Sequence, residues 1–300
     1  MRLYYSDPFA FPLPEGHRFP MAKYALLRKR VEAHWPGSDV TLLIPDEAGD
    51  EELATVHDPD YLRKVSTGTL APAEIRRIGF PWSPALVERS RRSVGGTVEA
   101  ARAALEDGMA GNLSGGTHHA FPDRGEGFCV FNDVAVAARV MQQEGRAERI
   151  VILDLDVHQG NGTAFIFRNA PEVFTLSIHG ANNYPFRKEP SDLDLELPDG
   201  TGDEGFLEAV REGLERALGA ASFDLAFFLA GADPFQGDRL GRLAVSMNGL
   251  AERDCLVFAA CEGAGVPVAT VLSGGYAVPV EDTVDIHFTT LSIALDLLAR

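Results

Sequence analysis

The sequence predicts an α/β fold: one domain over residues 1–300, built on an open parallel sheet of about eight strands with helices on both faces. Three observations predict it. Short apolar runs recur along the 300 residues, and helix-length segments separate them. Several of those runs are apolar at nearly every position, as expected for parallel strands covered on both sides. The alternation is not interrupted by a repeat, a low-complexity segment or a long linker, and α/β folds often run to ~250 residues as one domain.

The elements follow in order. Arg2–Tyr5 and Val40–Ile44 are the first strand candidates, with a helix over Met21–Ala33 between them. Ser83-Pro84 then opens a helix over Pro84–Glu106, a capping residue followed by a proline whose missing N–H the first turn does not need. Ala110–Leu113 is a strand, and Phe131–Glu144 the next helix. Ile150–Asp154 and Val173–Ile178 are further strands. Leu193–Leu197 alternates apolar and acidic residues, which suits an additional strand with one face in water. Asp203–Leu218, Gly249–Ala264 and Thr283–Leu298 are helices, and Leu225–Ala230 and Pro267–Leu272 are the strands interleaved with them.

Composition excludes several functions. Forty-four acidic residues against 27 basic give a net charge of −17, which argues against nucleic acid held on a basic face and against a polybasic membrane anchor. The three cysteines, Cys129, Cys255 and Cys261, are an odd number without a Cys-x-x-Cys pair, so neither a disulfide framework nor a thiolate zinc knuckle is expected. The first residues lack a secretory apolar stretch, and no run is long enough to span a membrane. A cytoplasmic protein without a membrane or nucleic-acid partner is the expectation.

In open α/β sheets, ligands bind beyond the carboxyl ends of the strands. Five loops at those ends carry the unusual residues: Ser114–His119, Asp154–Gly162, His179-Gly180, Gly231–Pro234 and Ser273–Tyr276. Asp156 and His158 stand two apart after an apolar strand, so extended backbone turns both toward one side. Asp233, after another strand, can supply a third ligand. An Asp, His, Asp set suits Zn²⁺ with an open fourth position, and Fe²⁺ or Co²⁺ are alternatives. His118 and His119 each need a partner to fix the tautomer, and Asp154 and Asn161 are the residues at hand. A carboxylate adds basicity where an amide only orients, so the two imidazoles can divide acid and base roles. Gly274 and Gly275 let the backbone approach a ligand closely. Tyr276 after them can donate a hydrogen bond to a carbonyl oxygen opposite the metal.

Together these residues resemble the histone deacetylase family of the arginase–deacetylase fold. The matching stretches are Gly127–Asp133, Leu153–Gly162, Gly231–Pro234 and Ser273–Tyr276, in the family's order and spacing. Pro12–Pro20 and Ser191–Asp203 are similar to the class IV and bacterial branch. The resemblance implies hydrolysis of an acylated amine, typically N-acetyl-lysine or a small acylated amine. It places zinc on Asp156, His158 and Asp233. His119 becomes the general base, His118 an electrostatic imidazole on Asp154, and Tyr276 the polarising phenol. Gly127, Phe128, Gly274 and Gly275 are expected in the substrate channel, with Tyr184 or Phe186 opposite. A structural potassium site would use Asp154 and Ser177.

Three departures bear on the substrate. Asn161 stands where some branches have aspartate, which should leave His119 less basic. The Gly79–Pro84 loop lacks the aspartate that clamps a peptide backbone in many relatives. Leu240 occupies the place of the glutamate of polyamine-specific relatives, which argues against an acetylpolyamine deacetylase. An arginase-like ureohydrolase is disfavoured because Gly160 stands where a second Asp is needed for two metals. An inactive acyl-lysine binding protein is the alternative outside enzymes.

Overall fold

The computed structural model describes residues 1–37 and 39–299. Eight strands form one sheet: β1 Arg2–Tyr4, β2 Thr41–Leu43, β3 Met109–Asn112, β4 Ile150–Asp154, β5 Val173–Gly180, β6 Leu193–Leu197, β7 Leu225–Leu229 and β8 Val268–Val271. Their order is β2-β1-β3-β8-β7-β4-β5-β6, and every pairing is parallel. The apolar runs thus become strands buried on both faces. Along β4, Val151 and Leu153 enter one core, while Ile150 and Ile152 enter the other. Along β7, Ala226 and Phe228 part from Leu225, Phe227 and Leu229 in the same way.

The helices are α1 Ala22–His34, α2 Asp50–Leu53, α3 Pro59–Thr67, α4 Pro72–Ile78, α5 Pro84–Asp107, α6 Asp133–Gln143, α7 Asn161–Phe167, α8 Asp203–Gly219, α9 Met247–Ala264 and α10 Val280–Leu298. Four of these, α2, α3, α4 and α7, were absent from the sequence expectation. They are too short to show a 3.6-residue period, although Asp58-Pro59 and Ala71-Pro72 carry the proline that opens α3 and α4. Helix α6 begins at Asp133 rather than Phe131, because Asn132 caps it: its Oδ1 accepts from the Ala135 N–H at 3.0 Å. Helix α9 begins two residues early for a similar reason, with Ser246 Oγ accepting from the Gly249 N–H at 3.0 Å.

Strand β5 runs to Gly180, held there by β6 through the pair Gly180↔Leu197. His179-Gly180 is therefore strand, not a loop. His179 is buried and shares a 2.9 Å hydrogen bond with Ser177 Oγ. Four loops, not five, carry the site. They follow β3, β4, β7 and β8, strands that lie together at the centre of the sheet. Among the described residues no helix is long and apolar enough to cross a membrane.

His57, in the segment between α2 and α3, ties the β3 loop to α6. Its Nδ1 donates to the Phe121 carbonyl at 3.0 Å, and its Nε2 accepts from the Asn132 N–H at 3.0 Å. Burial lowers its pKa from 6.5 to about 4. The folded protein therefore holds it neutral where the unfolded chain binds a proton. Its contribution is fully present above about pH 6.5 and is lost as pH falls through about 4, by ~3 kcal/mol. Denaturant midpoints across that window should show the loss, and His57→Gln should flatten it. An identical pH slope in that variant contradicts the assignment.

Candidate active site

The site begins with the loop after β4. Asp156, His158 and Asp233 are buried, and one ligand atom from each lies within 4.8 Å of the others. His158 Nδ1 is 3.0 Å from Asp156 Oδ1 and 3.1 Å from Asp233 Oδ2. The remaining carboxylate oxygens are already held. Asp156 Oδ2 accepts from Ser273 Oγ at 2.7 Å and from the Gly274 N–H at 2.8 Å. Asp233 Oδ1 accepts from the Val157 N–H at 3.0 Å. Each carboxylate is thus turned so that its other oxygen faces the same point as the imidazole. Such outer hydrogen bonds orient metal ligands. Burial alone would pull His158 down, but Asp156 and Asp233 outweigh it and raise it to about 10. Two buried carboxylates and an imidazole aimed at one point fit a divalent ion.

Gly274 makes this closeness possible. A Cβ there would meet Asp156 Oδ2 at 2.6 Å and would also press on Asp233. The neighbouring Ser273 holds a left-handed φ of 48°, sparsely populated for a residue with a Cβ. Gly275, expected in the channel, faces the other way: a Cβ there would meet Thr283 and Ala232. Its role is packing against α10.

The two histidines lie beside the cluster with rings 4.1 Å apart. His118 Nδ1 donates to Asp154 Oδ2 at 2.7 Å. Burial opposes the charged form of His118, but Asp154 and Asp156 overcome it and raise the pKa to about 9. His119 Nδ1 is 2.8 Å from Asn161 Oδ1. Asn161 Nδ2 donates to Glu126 Oε1 at 2.8 Å, so its oxygen is the atom left to face His119. That fixes the proton of His119 on Nδ1 and leaves Nε2 as a lone pair. Burial, then the charges of His118 and His158, holds His119 well below the usual histidine range. The pair is thus split, Asp154 favouring the charged form of His118 and burial the neutral form of His119.

The β3 loop is held by a residue whose part the sequence pattern does not show. Asp133 accepts from the N–H groups of Gly116 at 3.0 Å and Thr117 at 2.7 Å, and from the Thr97 and Thr117 hydroxyls, each at 2.6 Å. Asn132 Nδ2 donates to the Ala120 carbonyl at 3.1 Å. Lys23, nearly fully buried on α1, donates to the Ser273 carbonyl at 3.0 Å and lies 5.5 Å from the Tyr276 ring centroid. Arg89 on α5 is buried with its Nε unpartnered. The Asn-Asp pair ahead of α6 was a capping signal; Lys23 and Arg89 had none, since each comes from a helix remote in sequence.

One cavity joins His118, His119, Asp156, His158 and Tyr276 to Phe128, Tyr24 and Arg89. Phe128 has φ 67°, and its ring packs 5.2 Å from Phe80 and 5.4 Å from Phe19. Tyr184 forms the wall opposite, its ring 4.9 Å from His119 and its hydroxyl donating to Glu126 Oε1 at 3.1 Å. Phe186 stands outside that wall, 87% exposed at the outer mouth with its ring 6.3 Å from Tyr184. Leu240 also lines the outer mouth. At Gly127 a Cβ would meet His119 Cδ2 at 2.6 Å and Tyr184 Cε1 at 3.0 Å. Gly127→Ala should therefore lower kcat/KM by about 10²-fold through displaced His119 and Tyr184 rings. Steady-state kinetics with circular dichroism as a folding check measure this; unchanged kinetics contradict the contact.

Asp154 and Ser177, the expected potassium residues, are register partners on β4 and β5. Their side-chain oxygens already bond His118, the Asp156 N–H and His179.

Comparison with known proteins identifies the family and the fold. Residues 17–291 match the histone deacetylase domain. An uncharacterized protein of a Picosynechococcus species is 48% identical over 286 residues, 94% of each chain. Histone deacetylase 2 of Arabidopsis thaliana is 32% identical over 270 residues, 87% of this chain and 70% of that one. The crystal structure of an HDAC homolog from Aquifex aeolicus superposes with a TM-score of 0.83 at 25% identity, over 98% of this chain and 83% of that one. The eight-stranded parallel sheet is thus of the arginase–deacetylase type. The chain belongs to the histone deacetylase family and is a hydrolytic enzyme.

Proposed function

We propose that this member of the family hydrolyses acetyl amides. We propose that the substrate is an N-acyl, foremost N-acetyl, lysine or related amine, and that Asp156, His158 and Asp233 hold one zinc ion. The observation that carries this reading is the junction of a three-donor cluster with two histidines of unlike partners at the foot of an aromatic channel. A bound zinc ion supplies Lewis-acid polarisation and a more acidic water.

The chain's own groups do the rest. The Phe128 and Tyr184 rings enclose an apolar acyl-lysine stem and keep water from the reacting carbon. His119 Nε2, the lone pair left by the Asn161 contact, takes a proton from the attacking water and returns it to the departing amine. His118, kept charged by Asp154, offsets the negative charge that develops beside it. The Tyr276 hydroxyl donates to the carbonyl oxygen as it gains charge. Arg89, buried in the cavity lining with an unpartnered Nε, can pair with the carboxylate product. A fluorogenic acetyl-lysine amide tests this: zinc-loaded protein should release the amine, and a hydroxamate should block it.

A further inference from the structure

The chain carries a net charge of −17, yet the outer mouth of the active-site cavity has the opposite sign. Arg18, Arg76, Arg77, Arg239 and Arg242 line it together with Leu240, in a vestibule that also reaches His119, His158 and Tyr276. No aspartate or glutamate is among its lining residues. The carboxylates next to it are occupied. Glu126 is bound by Asn161, Tyr184 and Arg124, and Asp238 accepts from the N–H groups of Leu240, Gly241 and Tyr276.

The arginines themselves are largely unneutralised. Arg242 pairs with Asp199 at 3.3 Å. Arg239 donates to the carbonyls of Tyr276 and Arg18, at 3.2 and 3.3 Å. Arg18, Arg76 and Arg77 are exposed and make no ion pair among the described residues. Other exposed arginines do have acidic partners, as Arg63 does with Asp60 and Arg211 with Glu252. Four of the five vestibule arginines thus make no ion pair among the described residues, although the chain has 44 carboxylates. Like charges around a cleft with low-dielectric walls focus an attractive field for anions. Arginine also offers paired N–H donors to carboxylates.

We infer that this vestibule selects an acyl-lysine flanked by acidic residues. The inference rests on the acyl-lysine reading above and adds the chemistry around the lysine. Leu240 and Phe128 accept the apolar stem, and the arginines accept the flanking carboxylates.

Three acetyl-lysine peptides of equal length, flanked by aspartates, by glycine and serine, or by arginines, test it on zinc-loaded protein. Turnover is measured on the wild type, and binding by fluorescence anisotropy on Tyr276→Phe. The expected order is acidic, neutral, basic, with about tenfold between the extremes at low salt. The ratio should shrink at about 1 M salt, where the screening length is ~3 Å. Arg18→Gln/Arg76→Gln/Arg77→Gln should reduce the ratio about threefold or more, through KM rather than kcat. A basic-over-acidic order, or a ratio the triple variant does not move, overturns the inference. Failure to turn over any peptide instead refutes the hydrolytic reading, and the anisotropy order still decides the specificity.

Discussion

Tyr276→Phe should lower kcat by ~10²–10³-fold while the metal content stays that of the wild type. Tyr276 is 7% exposed, and burial pushes its pKa well above the usual range, so it remains a neutral donor at any working pH. Its hydroxyl has no hydrogen-bond partner among the described residues, which leaves the O–H free for substrate. The ring packs 6.1 Å from Phe19 and 6.2 Å from Phe128, contacts that phenylalanine preserves. The backbone N–H still donates to Asp238 Oδ2 at 2.5 Å, so the loop keeps its place. Only the donor is removed, and it acts on charge that grows in the transition state. The loss should fall on kcat with little change in KM. Steady-state kinetics beside metal analysis of the same sample check this, and an unchanged kcat removes Tyr276 from the mechanism.

The second large effect is expected at Asp233. Asp233→Ala removes one of three donors and leaves His158 facing Asp156 alone. The variant should bind zinc too weakly to copurify with it and should lose activity by at least ~10³-fold, as removal of an essential catalytic element does. A thermal readout separates this from a folding defect. A ligand that binds only the folded state stabilises it by RT ln(1 + [L]/Kd), about 4 kcal/mol at a thousandfold excess over Kd. Zinc added to metal-free wild type should therefore raise Tm by several degrees, and the same addition should leave Asp233→Ala unmoved. Equal shifts in the two proteins would place the ion elsewhere.

Much of this was legible in the chain itself. Apolar runs such as Ile150–Asp154 and Leu225–Leu229 announce buried parallel strands because both their faces must be covered. Asp156 and His158 were recognisable because their spacing and strand-end position follow from backbone geometry. Other features were hidden for physical reasons. Helix α7 starts inside Gly160-Asn161-Gly162, a stretch whose composition reads as loop. The end of β5 depends on its partner β6, which no local pattern at His179 records. Gly275 could not be told from Gly274 until the turn showed which one faces the carboxylates. Lys23, Arg89 and the vestibule arginines reach the site from segments far apart in sequence. The net charge of −17 gave no hint of a basic mouth, because a sum over the chain says nothing of where charges gather.

The most direct test of the central claim is to follow both products from an N-acetyl-lysine amide on protein of measured zinc content. Hydrolysis through this site predicts free amine and acetate in equal amounts, loss of both with a chelator, and their return when zinc is restored. A zinc-loaded protein that leaves a panel of acyl-lysines and acetylpolyamines intact contradicts the account and points to a binding protein instead.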